Sequence, residues 1–337
     1  MMRHSGHARR LSKRAPEEDK KGLLPGWAVA CIDILLIGAA LCLFALFHHV
    51  IPRVGNGPIL EIPRPESSSA SVEDAASKPA LEMGDKFLDK FTQNVQKSQN
   101  HYSSPDIHIS IEEKTVEIRR QPVVYFIADI YVRSIDNFRT AFARGIYGRS
   151  IAQDTLDMAV DNKAVLAISG DYYGTNDQGT VIRNGRLYRR NPTQADAGVL
   201  FWNGVMETYS PGNWHVDDVL KRQPYQAWTF GPMLLQDGRP MTKFNSVLMP
   251  ANPRAAIGYF EPGHYCFVLV DGRRAETYSA GMRLEALSQL FYDLGCKQAY
   301  NLDGGQSAVM VFDGKVVNQP VGGGRPVSDI VYITERE

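Results

Sequence analysis

The spacing of apolar positions changes character several times along this chain. From Trp27 to Phe47 the stretch "WAVACIDILLIGAALCLFALF" is apolar on every side, with Asp33 as its one charge. That length is what a helix needs to cross the hydrocarbon core of a bilayer. From Ile51 to Ala80 the apolar period vanishes among Pro, Ser, Gly and charged residues, which predicts a solvated tether. Leu81, Phe87, Leu88, Phe91 and Val95 then return at near-helical spacing, predicting a short amphipathic helix within residues 81–102.

Beyond residue 103 the pattern shortens into strand-like arms joined by turn pairs: "VIRNGRLYR", "FWNGVMETY", "LLQDGRPM", "VLVDGRRAE" and "VFDGKVVN". Each reads as a hairpin. Two helices interrupt them, "SIAQDTLDMAVDNK" with Ser150 as N-cap, and "RLEALSQLFYDLG" with Leu284, Leu287, Phe291 and Leu294 on one face and Gly295 as its stop. The chain therefore divides into a basic tail (1–26), a membrane helix (27–47), a flexible linker (48–80), an amphipathic helical segment (81–102) and one domain (103–337). The domain is expected to be α+β (mixed α/β), rich in sheet with a few packed helices.

Charge adds an orientation. Arg3, Arg9, Arg10, Lys13, Arg14, Lys20 and Lys21 crowd the N-terminal side of the apolar run, and basic flanks stay in the cytoplasm. The later residues are thus expected outside, as a single-pass cell-membrane protein. A cleaved signal is the competing reading, but the run is long for a signal core and "FHHVIPRVG" holds no small-x-small cleavage site. The formal net charge is zero, and no basic stripe interleaved with aromatics is present, which argues against nucleic acid as a partner. Of four cysteines, Cys31 and Cys42 fall in the apolar run. Cys266 and Cys296 remain, as a bridge or as two small buried residues.

Both long helical patterns lead into a short apolar strand and then an acid among small residues: "AVLAISGDYYG" ends on Asp171, and "QAYNLDGG" on Asp303. Loops at the ends of neighbouring strands form a usual ligand crevice. Asp303, Gly304, Gly305, Gln306 and Ser307 combine a carboxylate with glycines that let a ligand approach the backbone. A plain tight turn is the alternative. Asp171 with Tyr172 and Tyr173 joins a carboxylate to aromatic surface suited to a sugar ring. Asp271, Arg273 and Arg274 follow "FVLV", where a hairpin corner stays open as the reading. Arg254 in "NPRAAIGY" offers a planar fork to phosphate or carboxylate, with Arg183 and Arg325 as further arginines for such a site. The histidines form no zinc array and no cofactor is required, while a divalent cation held by carboxylates such as Asp171 and Asp303 is left open.

The blocks "SGDYYG", "FGPMLLQDG", "NPRAAIGY", the run from Val270 to Met310, "VVNQP" and "GRPVSDIVYI" occur in an order that resembles the phosphodiester glycosidase family over roughly residues 105–337. Ser169 and Asp171 stand where that family usually has Asn and Gly, and Gln306 replaces a third glycine. Arg254, Asp271, Asn301, Asp303, Gly304, Gly305 and Ser307 sit where the family pattern has them. The resemblance implies hydrolysis of the bond between a sugar's anomeric carbon and a phosphodiester. Asp303, with Asp171, Asp271 and Arg254, would then be catalytic. Arg183, Tyr173, Asn301, Gly304, Gly305, Gln306, Ser307, Arg273 and Arg325 would bind a glycan or glycosyl phosphate of the cell envelope or exopolysaccharide. Two other classes stay open: a glycan-binding module without turnover, and a metal-dependent phosphodiesterase.

Overall fold

The computed structural model describes residues 24–47, 51–65, 83–236 and 238–336. Most of the basic tail, residues 66–80 of the expected linker, Leu81 and Asp237 lie outside the described residues. The chain divides into two units, Met1–Ile51 and Pro52–Glu337. The first contains helix α1 (Gly26–Ala45), 20 residues with none buried, long and apolar enough to cross a membrane.

The second unit is built on three main sheets with two further two-stranded pairs, and every ladder among the described residues is antiparallel. The large sheet runs, in spatial order, through Gln298–Asn301, Arg254–Glu261, His264–Val270, Gln121–Val132, Ile107–Ile118, His101–Ser103 and Gln96–Lys97. Strand alternation sorts its side chains to two faces. Val124, Phe126, Ala128 and Ile130 enter the main core, while Val123, Tyr125 and Ile127 pack on the other face against Leu284, Leu287 and Phe291 of helix α4 (Leu284–Asp293). A second sheet contains Ala197–Phe201, Pro224–Trp228 and Thr180–Arg183; a third contains Leu166–Ser169, Asp329–Ile333 and Met310–Phe312. Leu200 and Trp228 from the second, and Ile168, Met310 and Val331 from the third, share the main core with the large sheet. The sheet-rich α+β expectation holds. Helices α2 (Thr155–Asp161) and α3 (Val216–Lys221) are short.

Three local expectations change, and one open alternative, that of the two cysteines, is decided. Residues 53–62 are not a free tether: Arg53–Val54 pairs with Gly148–Arg149, and Leu60–Glu61 pairs with Arg186 and Leu187 at the edge of the second sheet. Ile62 explains the capture, because it is buried with Ile182, Leu187, Val199 and Phe201. The amphipathic helix of 81–102 does not form. Asp85–Phe87 makes one 3-10 turn, and Gln96–Lys97 and His101–Ser103 extend the large sheet instead. Phe87 packs edge-on to Tyr131 at 5.0 Å, and sheet pairing outcompetes a helix too short to hold itself. Helix α2 starts at Thr155 rather than after Ser150, since Gln153 is drawn into a bridge with Val327 and Ser150 has a φ of 55°. Cys266 and Cys296 are free buried thiols, 3.8 Å apart over Gly258.

Candidate active site

Asp303 and Asp171 come together, though not as neighbouring strand ends of one sheet. Asp303 follows Gln298–Asn301 of the large sheet, and Asp171 follows Leu166–Ser169 of the third. Main-chain bonds stitch the two ends: the Asp303 N–H donates to Gly170 O at 3.0 Å, and Ser169 Oγ donates to Asp303 O at 3.0 Å. Ser169 thereby serves the backbone. The glycines after Asp303 answer to close packing. A Cβ on Gly304 would lie 2.5 Å from Pro253 O, and Gly305 has a φ of 61° and donates its N–H to that same oxygen.

A cleft of about 390 Å³ opens over this loop, lined by Asp303, Gly304, Gly305, Gln306, Asn301, Arg254, Arg273 and Arg325 among others. Asp303 is the only acid among the described residues that line it. Its side chain is 11% exposed, at the cleft floor, and Arg325 Nη2 lies 3.1 Å from its Oδ2. Arg325 is aimed by Ser307, whose Oγ accepts from Nε at 2.6 Å. Burial pushes the Asp303 carboxyl above the usual range, Ser307 and Arg325 pull it back, and nearby Asp171 adds repulsion. A carboxylate thus sits at the foot of an open cleft, part-neutralised by a guanidinium that is itself 40% exposed.

The other arginines divide by what their donors already hold. Arg254 lines the cleft, but Nε donates to Met282 O at 3.0 Å and Nη2 to Leu248 O and Pro250 O at 2.7 and 2.6 Å. Burial without a carboxylate in that bonding set pushes it down to about 10. Its first duty is to hold a loop. Arg273 is exposed and donates Nε and Nη2 to the side-chain Oδ1 of Asn252, each at 3.3 Å, with no carboxylate partner among the described residues, so its charge is open to the cleft.

Arg183 is corrected from cleft residue to buried structural cation. Its Nη2 lies 3.0 Å from Asp171 Oδ2, its Nε 2.8 Å from Asp329 Oδ2, and Nη1 donates to Ile182 O and Ala227 O. Asp171, buried and also accepting from the Tyr173 N–H at 3.0 Å, therefore sits behind Asp303 rather than in the cleft lining. Asp271 is likewise held elsewhere: it accepts from Asn318 Nδ2 at 2.7 Å, the Gln319 N–H at 2.9 Å and Tyr278 Oη at 3.2 Å, fastening a loop. Tyr173 is buried against Tyr147 and Phe142. Its neighbour Tyr172 is the exposed ring, beneath Arg325 at 5.4 Å and edge-on to Phe230 at 6.3 Å.

Asn301 lines the cleft. Its Nδ2 donates to Gly231 O and Leu302 O, while its buried Oδ1 has no hydrogen-bond partner among the described residues. Sequence reasoning missed Asp329, Asn252 and Phe230, although each lies in a block quoted above ("GRPVSDIVYI", "NPRAAIGY" and "FGPMLLQDG"), and it missed the Ser246–Leu248 lip, which lies in none. A larger groove of about 830 Å³ along Lys97–Asn100 and Lys315–Val317 contains none of the candidate residues. Chemistry rather than volume selects the smaller cleft. For the divalent cation, no three His, Cys, Asp or Glu side chains gather among the described residues, and Asp171 is already paired with Arg183.

The family model for phosphodiester glycosidase matches residues 162–334, just over half of the chain and all the candidate residues named above. The chain belongs to the phosphodiester glycosidase family. The SPbeta prophage-derived uncharacterized protein YomE of Bacillus subtilis (strain 168) is 29% identical over 217 residues, which is 62% of this chain and 33% of that protein. The chain thus spans about a third of that relative's length. Among solved structures, the catalytic domain of zebrafish N-acetylglucosamine-1-phosphodiester alpha-N-acetylglucosaminidase, auto-inhibited by its pro-peptide, has the same fold. It matches with a TM-score of 0.57 at 19% identity, over 72% of this chain and 88% of that domain. The phosphodiester glycosidase assignment makes the domain that of a glycosidase-like hydrolase, with Asp303 and its arginines at the cleft.

Proposed function

We propose that this chain hydrolyses glycosyl-1-phosphodiesters at the sugar's anomeric carbon, outside the cell, held by its N-terminal helix. The observation that carries this reading is the Asp303–Arg325 pair at the floor of the open cleft, 3.1 Å apart. The name of the zebrafish enzyme points to the same bond class.

A phosphodiester leaves as a stable anion, so the reaction needs cationic stabilisation of the leaving group more than a strong general acid. Arg325 and exposed Arg273 supply it, taking the part that sequence gave to Arg254 and Arg183. The anomeric carbon gains positive charge as the C1–O bond lengthens. Asp303 answers that charge, as nucleophile or as the base that activates water. Asn301 lines the same cleft, and this reading gives it a contact with the sugar. The basic residues before α1 favour the N-terminus inside and the hydrolase domain outside. An outward-facing position suits glycans of the envelope or exopolysaccharide.

The test uses a synthetic sugar-1-phosphodiester and the full chain. Free sugar and a phosphate monoester are expected, with Asp303→Asn reducing turnover at least about 10³-fold while the fold is kept. Full activity in that variant contradicts the assignment. Sugar-1-phosphate as the product supports a phosphodiesterase instead, and binding without any product supports a glycan-binding module.

A further inference from the structure

The cleft has an aliphatic lip that the chemistry of sugar and phosphate does not use. Val247 and Leu248 line the same cleft as Asp303, Arg273 and Arg325, and they are 93% and 56% exposed. Their position on the rim of a cleft lined by polar groups gives an apolar ligand a surface to cover.

The lip is built rather than left loose. Arg254 donates Nη2 to the Leu248 and Pro250 carbonyls, and Asn245 Nδ2 donates to Gln194 O at 2.5 Å. The Leu248 N–H donates to Ser246 Oγ at 3.1 Å. Asn252, a few residues on, holds the Arg273 guanidinium. One loop therefore carries both the apolar tip and the contact that orients a cleft cation. A sugar ring stacks on aromatic surface, which Phe230 brings to the cleft lining; branched aliphatic side chains match an aliphatic chain instead.

Resting on the reading of the cleft given above, we infer that the group beyond the phosphate is an aliphatic alcohol, so that the substrate is a lipid-linked sugar phosphodiester. The phosphate anion meets Arg325 and Arg273, and the first carbons of the lipid chain cover Val247 and Leu248. Hydrolysis breaks the sugar C1–O bond, water oxygen joins C1, and the water proton passes to solvent or to the departing lipid phosphate. No redox partner takes part.

The experiment compares one sugar-1-phosphodiester carrying methyl, butyl, octyl or an octyl-length glycol ether, with the full chain in nanodiscs. kcat/KM is expected to rise roughly 10-fold or more from methyl to octyl, mainly through KM, with the glycol ether near methyl. Val247→Ser/Leu248→Ser should flatten that series, and Val247→Ile/Leu248→Met should restore it. Equal values across the series, or a preference for the glycol ether, overturn the inference while leaving sugar-phosphodiester hydrolysis standing. If no ester is hydrolysed, the catalytic reading falls, and the aliphatic subsite is read from binding. Octyl phosphate should then bind at least roughly 10-fold tighter than methyl phosphate, and only with the apolar lip intact. Equal binding overturns it.

Discussion

Asp303 is raised by burial and lowered by Ser307 and Arg325, so its ionisation is held by few contacts. Acting as nucleophile or base, it must be ionised, which places the acidic limb of kcat/KM above the ordinary carboxylate range. Arg325→Ala removes a cation that favours the charged form; the carboxyl rises further, and the limb moves to higher pH. A pH profile whose limb stays put or moves down contradicts the pairing. Arg183 makes a different prediction. Replacing it by Met strands two buried acids and should cost about 3–5 kcal/mol in denaturant unfolding. Burial already pushes Asp329 up to about 7, with Arg183 as the offsetting charge. Without Arg183 the folded Asp329 carboxyl rises further above its unfolded value. The variant's deficit therefore grows as pH rises from the ordinary carboxylate range and shrinks in acid. A deficit independent of pH would place the arginine's contribution in packing alone. Sequence put Arg254 first, with Arg183 and Arg325 behind it. Which guanidinium stays available depends on carbonyls and acids far away in the chain, such as Asp329, 146 positions beyond Arg183.

At the scale of elements, local chemistry made the tight hairpins legible. Asn184-Gly185 and Asp313-Gly314 turn with positive φ at both residues, at 50° and 75° and at 44° and 72°. The longest hairpin was not legible as such, because Arg119 and Arg120 make its turn, at φ of 52° and 64°, with no residue that advertises one. Asp271-Gly272 carried the signal without making a hairpin; the acid gathers Asn318 and Gln319 instead. The edge strands before residue 104 also escaped, because Pro- and Ser-rich composition hides a single anchoring residue such as Ile62. That anchor gives a test: Ile62→Ser should cost about 2–4 kcal/mol of domain stability in denaturant unfolding. A tether would show no change.

Across the whole molecule, the helix-strand-acid layout before Asp171 and Asp303 was readable, and so was the convergence of the two loops. Their assignment to different sheets was not, since antiparallel pairing joins strands far apart in sequence. The result is one acid lining the cleft, backed by a buried Asp171–Arg183–Asp329 group, where sequence alone put Asp171 beside Asp303 among the catalytic candidates. The central claim is attack at the anomeric carbon, and hydrolysis in ¹⁸O-labelled water tests it most directly. The account predicts that the label appears in the released sugar and that the phosphate monoester carries none. Label in the phosphate would contradict it.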